Sequence, residues 1–143
     1  MPKQNSLEQS YLLLIEFLML SKRRVLELGA EFDLTGMQAM MLFLLDHPRP
    51  MNNFKKVFNC DASNITGLVD GLEQKKLASR YENQDDRRIK MVRLDAKGKR
   101  VRSDLVSRLA TRDSSIFSQL SPTEFQTFIQ LLQKITTAAP QYE

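Results

Sequence analysis

The side chains with the most suggestive chemistry in this chain are short hydrogen-bonding groups followed, further along, by two adjacent arginines. Residues 60–98 read CDASNITGLVDGLEQKKLASRYENQDDRRIKMVRLDAKG. Ser63, Asn64 and Thr66 carry hydroxyl and amide groups that both donate and accept, and Arg87 and Arg88 carry planar cationic forks suited to anionic oxygens. Such groups can hydrogen-bond to the edges and phosphates of another molecule. The chain has one histidine, His47, and one cysteine, Cys60. It contains no Gly-x-Ser-x-Gly, Ser-x-x-Lys, glycine-rich phosphate loop or zinc-ligand cluster. We therefore expect no catalytic residues, no metal and no cofactor.

The elements around these side chains follow from their periodicity. From residue 61 to residue 76, Ile65, Leu68, Val69 and Leu72 recur at the spacing of one helical face, which predicts a helix with that face turned inward. Its other side would hold Ser63, Asn64, Thr66, Asp70, Gly67 and Gly71, a slim polar surface able to approach another molecule closely. Residues 77–81 and 89–94 read as two short strands joined by a polar loop over 82–88, with Ile89, Met91 and Leu94 alternating against Lys90 and Arg93 and Val92 breaking the period. A polar-faced helix followed at once by a charged hairpin is what a winged helix-turn-helix requires: one element for the major groove, one for the backbone or minor groove.

Charge supports that reading by its distribution. The formal net charge is +4, yet residues 75–108 hold 12 Lys and Arg against 5 Asp and Glu, a local surplus larger than that of the whole chain. A charge run alone is more often a solvated face; beside a recognition-type helix it implies affinity for phosphate that falls steeply with salt. A single cysteine excludes an intramolecular disulfide and fits a reducing cytoplasm. No signal peptide or membrane span is expected, because the apolar run over 12–20 is interrupted by Glu16 and ended by Ser-Lys-Arg-Arg.

At 143 residues one domain accounts for the chain. A first helix is expected to open at a Ser6/Gln9 capping box and to end near Gly29. It is apolar nearly all round over 11–20, so either it is a central core helix or a partner subunit covers its second face. A second helix should start at a Thr35/Gln38 capping box and stop at Asp46-His47-Pro48; its methionines could line an adaptable pocket or simply pack in the core. His47 reads as a surface or capping residue. Residues 51–59 should form a short helix with Phe54, Val57 and Phe58 inward and Lys55 and Lys56 outward. Asp61 is placed to cap the next helix, which puts Cys60 beside a helix N-terminus, where a thiol can be activated. Asp95 should cap a helix from 96 to about 117 with an apolar stripe of Val101, Leu105, Val106 and Leu109 and a basic side of Lys97, Lys99, Arg100, Arg102, Arg108 and Arg112. Ser121-Pro122-Thr123-Glu124 opens the last helix, whose apolar face is Phe125, Phe128, Ile129, Leu132 and Ile135 and which Pro140 stops.

Taken together, Leu34-Thr35 with Gln38, Ser63-Asn64-Ile65-Thr66, Leu68-Val69-Asp70, Leu72-Glu73, Leu77 with Arg80, Asp86-Arg87-Arg88, and Leu94 with Lys97-Gly98 resemble the MarR family of bacterial transcriptional regulators over roughly residues 10 to 137. The resemblance implies a mainly α fold with a small β-hairpin wing. It divides the chain into a winged helix-turn-helix lobe over about 34–95 and a dimerisation region built from N- and C-terminal helices over about 6–30 and 96–139. It also implies a cytoplasmic homodimer that binds double-stranded DNA at an inverted repeat and acts as a repressor or other regulator.

Mapped onto this sequence, Ser63, Asn64 and Thr66, with Gly67 beside them, would meet base edges, and Arg87 would enter or border the minor groove. Arg88 would contact phosphate or pair with Asp86, and Lys55, Lys56 and Lys90 are phosphate candidates. Many members respond to small aromatic or anionic effectors; Tyr11, Phe17, Met37 and Met41 are the candidate pocket, and the same residues would serve as ordinary core. Peroxide-sensing members use a cysteine in the first helix, and this chain has none there. Where the family usually has glycine before Leu77 this chain has Lys76, so a left-handed cap would be strained or the helix must end differently. Gly67 and Gly71 stand where relatives often carry long polar or basic side chains, so sequence selectivity is either low or carried by the wing and DNA shape. The competing reading is a winged helix that docks another protein through its slim helix.

Overall fold

The computed structural model describes residues 3–111 and 115–139. Six helices and three strands follow in the order α1 (Gln4–Glu31), α2 (Gly36–Leu44), β1 (Arg49–Pro50), α3 (Met51–Phe58), α4 (Ala62–Gln74), β2 (Ala78–Glu82), β3 (Lys90–Leu94), α5 (Ala96–Ala110) and α6 (Pro122–Ala138), with a 3-10 turn at Ser115–Phe117. The fold is mainly α with an antiparallel β-hairpin wing, as expected, and β1 extends the hairpin into a three-stranded sheet of order β1-β3-β2. β1 carries proline, which cannot donate to a ladder and so reads as a stop signal; at a sheet edge it is tolerated.

The core lies under the wing and between α2, α3 and α4. Phe54, Met41, Leu42, Ile65, Leu72, Val69, Val92 and Leu105 are the largest fully buried side chains. The last turns of α1 join it through Leu28. The rest of α1 does not. Leu12 and Met19 are 69% and 66% exposed, and α6 has no buried residue at all. The two helices meet at Phe17, whose ring lies 5.9 Å from that of Phe128 and 6.1 Å from that of Phe117.

Local signals fixed most boundaries. The Thr35/Gln38 and Ser121/Glu124 capping boxes are both formed reciprocally, the second with proline in the first turn. Five expectations are corrected. α1 starts before the expected box, because the Ser6 hydroxyl donates back to the Lys3 carbonyl at 2.6 Å instead of capping. Gly29 does not end α1: the left-handed residue is Asp33 (φ 57°), and Gly29 marks a close approach, since a Cβ there would lie 2.9 Å from the Ala39 Cβ. Gly71 is not on the open side of α4; a Cβ would meet the Gln38 side chain at 2.4 Å, so glycine lets α2 and α4 close. In β3 the inward residues are Val92 and Leu94, not Met91, because pairing with β2 at Arg80 and Ala78 sets the parity. α5 stops at Ala110, where Thr111 turns extended, rather than near 117, and its Val106 is exposed. Arg112 and Pro140 lie outside the described residues.

Candidate nucleic-acid interface

α3 and α4 form the helix pair under the wing. Phe54 is buried beneath it, and Asn59 turns the chain in the left-handed region (φ 48°). Asp61 then caps α4 as expected: its carboxylate accepts the Asn64 N–H at 3.0 Å and the Ser63 hydroxyl at 2.8 Å. The Asn64 and Ser63 donors hold this carboxyl below its usual pKa. The first turn of α4 is thus fixed, with Ile65, Val69 and Leu72 buried and Ser63, Asn64, Thr66 and Gly67 exposed. A Cβ at Gly67 would meet nothing within 4 Å, so the helix backbone is open to outside contact there.

The other end of α4 is bolted to the wing. The Arg80 guanidinium donates to Glu73 Oε2 at 2.7 Å and to Asp70 Oδ1 at 2.6 Å, and the Arg80 N–H donates to Glu73 Oε1 at 2.9 Å. Asp70 and Glu73 stand one helical turn apart, so a single arginine on β2 engages both, and the Glu73 and Asp70 hydrogen bonds raise its pKa further. Their α4 spacing and an arginine just past the turn were visible in the sequence; no contact role was assigned to them. The consequence is that α4 and the wing are tied to each other through one side chain.

The wing loop has its own internal order. Asn83 Oδ1 accepts from the Asp85 and Asp86 N–H groups at 2.8 and 3.2 Å, an Asx-type turn that sequence reading passed over although an asparagine within a polar loop is its signal. Asp86 in turn accepts from the Arg88 N–H at 3.0 Å and from its guanidinium at 3.1 and 3.2 Å. The Arg88 side-chain and backbone donors hold the Asp86 carboxyl below its usual range. Arg88 therefore shapes the loop, while Arg87 is exposed and makes no hydrogen bond or ion pair among the described residues.

Around this frame the sequence-predicted residues fall into two groups. Thr66, Lys55, Arg88 and Lys90 line one cleft of about 320 Å³ between α3, α4 and the wing, with Met51 and Asn52 as lining that sequence reading missed. Lys90 there pairs with Glu82 across the hairpin at 2.9 Å. Ser63, Asn64 and Gly67 line the opposite flank of α4, beside Met37 and Cys60. Lys56 is exposed on α3.

The four residues expected to form an effector pocket are not brought together. Tyr11 is exposed on α1, Phe17 packs on Phe117 and Phe128, Met37 borders the α4 flank, and Met41 is buried in the core. Periodicity marks such residues as apolar without saying which neighbour they meet. An apolar cavity of about 780 Å³ lies instead between α2, the end of α5 and the start of α6, lined by Phe43, Val106, Leu109, Phe117, Leu120 and Phe125 among others. No group of three or more His, Cys, Asp or Glu able to hold a metal occurs among the described residues, and no described helix is long and apolar enough to cross a membrane.

Comparison with known proteins agrees with this geometry. Residues 34–90 match the model of the MarR family. The chain is 24% identical over 121 residues, covering 82% of it and 79% of the relative, to an uncharacterized HTH-type transcriptional regulator, YhbI, of Bacillus subtilis. Its fold is shared by the transcriptional regulator BldR from Sulfolobus solfataricus (TM-score 0.78, 24% identity, covering 97% of this chain and 100% of that one). A mutant MarR from E. coli complexed with operator DNA also shares it (TM-score 0.68, 21% identity, covering 94% and 99%). The matched segment coincides with the capped helix pair and the arginine-tipped wing, so over residues 34–90 the chain is similar to the MarR family.

Proposed function

We propose that this chain is a MarR-family transcriptional regulator that works as a cytoplasmic homodimer and grips double-stranded DNA at an inverted repeat. α4 enters the major groove, where Asn64 and Thr66 meet base edges. Ser63 contributes through its remaining lone pair, since its proton is held by Asp61. Gly67 lets the α4 backbone sit close. Arg87 reaches the minor groove, and Lys55, Lys56 and Lys90 follow the phosphates. The observation that carries this reading is the cleft shared by α3, α4 and the wing, in which Thr66 and three cations face one space. Two copies related by a two-fold axis would set their recognition helices about 34 Å apart, one turn of duplex. The exposed apolar faces of α1 and α6 supply the subunit contact. A solved relative bound to operator DNA supports the DNA partner.

Release by a small effector fits the apolar cavity between α2, α5 and α6 better than the scattered residues expected from sequence. Such a ligand would discharge DNA by binding the non-DNA spacing of the lobes more tightly.

Titration of a duplex recovered by selection from random DNA tests the reading. Submicromolar binding is expected, weakening steeply as salt rises because counterions are released. Arg87→Ala and Asn64→Ala should each cost about 1–3 kcal/mol, whereas Arg88→Ala should act through the loop and lower binding less. Absence of duplex binding at low salt would instead favour a protein-docking module.

A further inference from the structure

A second concavity lies at the base of the wing, away from the proposed DNA face. It holds about 430 Å³ and is lined by Asp46 and His47 after α2, Arg93 and Leu94 at the end of β3, and Lys99 and Arg102 on the first turns of α5. Its floor is apolar, since Leu45 and Leu94 are buried. Three of its side chains are basic: Arg93, Lys99 and Arg102.

Their charge is not used up within the protein. Asp46 is the one carboxylate in the lining, and it is already paired, at 3.2 Å with Arg49 Nη2 and at 2.8 Å with His47 Nδ1. No ion pair involves Arg93, Lys99 or Arg102 among the described residues. Two of the three are also held in place. Arg102 donates Nε and Nη2 to the Phe43 carbonyl at 3.3 and 3.2 Å, and Arg93 lies 5.0 Å over the Tyr81 ring. Arg102 thus caps the negative end of α2 and still has further N–H donors to offer. Neither role consumes the positive charge. Cations gathered around a concave site with low-dielectric walls concentrate an attractive field for anions.

We infer that this cleft is a binding site for a small free anion carrying a phosphate group, with Arg93, Lys99 and Arg102 as its donors. Its size exceeds a bare phosphate ion, so a phosphorylated small molecule fits it better. The phosphates of bound DNA are the other source of the same chemistry. Against them stands position, for Arg93 lies about 10 Å along β3 from Lys90, at the end remote from the wing tip. The inference stands without the DNA reading above.

The probe is inorganic phosphate, titrated into the full chain at constant ionic strength made up with chloride and followed by amide chemical shifts. Saturable shifts are expected at residues around the cleft. Arg93→Gln and Lys99→Gln, both at exposed positions whose loss should leave the fold intact, should each weaken binding about tenfold. Asp46→Asn should tighten it by removing the opposing carboxylate. A parallel duplex titration with the same variants separates the sources. Shifts that rise linearly without saturating would overturn the proposal, as would shifts centred on Ser63, Asn64 and Arg87. So would a Lys99→Gln variant that loses duplex affinity but keeps phosphate affinity.

Discussion

The lobe and the helical arms solve opposite problems with the same residue types. In the lobe, the core side chains of α2, α4 and the wing are covered by one another, and Arg80 ties α4 to the hairpin. In the arms, the first half of α1 shows Leu12, Leu13, Leu14, Ile15, Leu18 and Met19 to solvent, and Leu131 and Ile135 of α6 do likewise. An apolar patch of that extent on a small protein marks a contact surface. The lobe's order is therefore internal to one chain, and that of the arms depends on a second surface.

The sharpest way to break this contrast is to damage each region in kind. Phe54→Ala removes a fully buried ring from the lobe, and about 3–5 kcal/mol of unfolding free energy should be lost, read by urea denaturation. Leu18→Glu in the arm removes no buried contact within the chain, so the unfolding free energy of an isolated subunit should hardly move. Sedimentation should instead show a shift from dimer to monomer, because a carboxylate would be forced into the proposed interface. If Leu18→Glu left the mass unchanged, the arms would have some other partner. Equal destabilisation by both changes would mean the arm is core after all.

Two glycines, Gly67 in the lobe and Gly98 on α5 where it packs against the lobe, give a narrower test. A Cβ at Gly98 would sit 1.9 Å from the Leu77 carbonyl oxygen, a backbone atom that cannot step aside, where the wing meets α5. Gly98→Ala should cost at least about 1–3 kcal/mol, the range for overpacking. Gly67, by contrast, faces open space, and Gly67→Ala should add about 1 kcal/mol through helix propensity. Thermal unfolding of the two variants should move in opposite directions. Duplex affinity separates them again, since under the proposed reading the added methyl at 67 stands on the DNA face and that at 98 does not.

How far these regions were legible in the sequence depends on what sets each feature. Caps are local chemistry, so those at Thr35/Gln38, Asp61 and Ser121/Glu124 were found where expected, whereas the Ser6/Gln9 box is absent and the Asp95 carboxylate accepts from Ser79 instead of capping α5. The helix with Ile65, Val69 and Leu72 inward was equally plain, because one face repeats. Close approaches were not. Gly29, Gly71 and Gly98 all look like punctuation or polar-face residues in one dimension, and only the neighbouring element, a side chain at Gly29 and Gly71 and the backbone at Gly98, shows that each makes room. The Arg80 clamp and the Arg87/Arg88 division of labour fall between these cases. Their residues stood out, but which arginine turns inward depends on the Asn83 turn that presents Asp86 to Arg88. The pocket residues were the least legible, for a methionine stripe carries no information about what lies opposite.

The smallest effect concerns the hinge between α4 and the wing, where sequence posed an alternative that the fold resolves. Lys76 adopts the left-handed region at φ 58°, and the turn closes as a Schellman motif: the Lys76 N–H donates to the Glu73 carbonyl and the Leu77 N–H to that of Leu72, both at 2.9 Å. The cap is kept and a non-glycine residue bears its strain. Lys76→Gly should relieve about 1–2 kcal/mol of left-handed backbone cost, partly offset by the greater freedom of glycine in the unfolded chain. A net gain near 1 kcal/mol is thus expected, seen as a modest rise in Tm. Because Lys76 is exposed and no hydrogen bond involves its side chain among the described residues, the change leaves the Arg80 clamp intact. If duplex binding fell while stability rose, the lysine would be serving as one more phosphate contact, and the strain would be the cost of placing its charge beside the proposed DNA face.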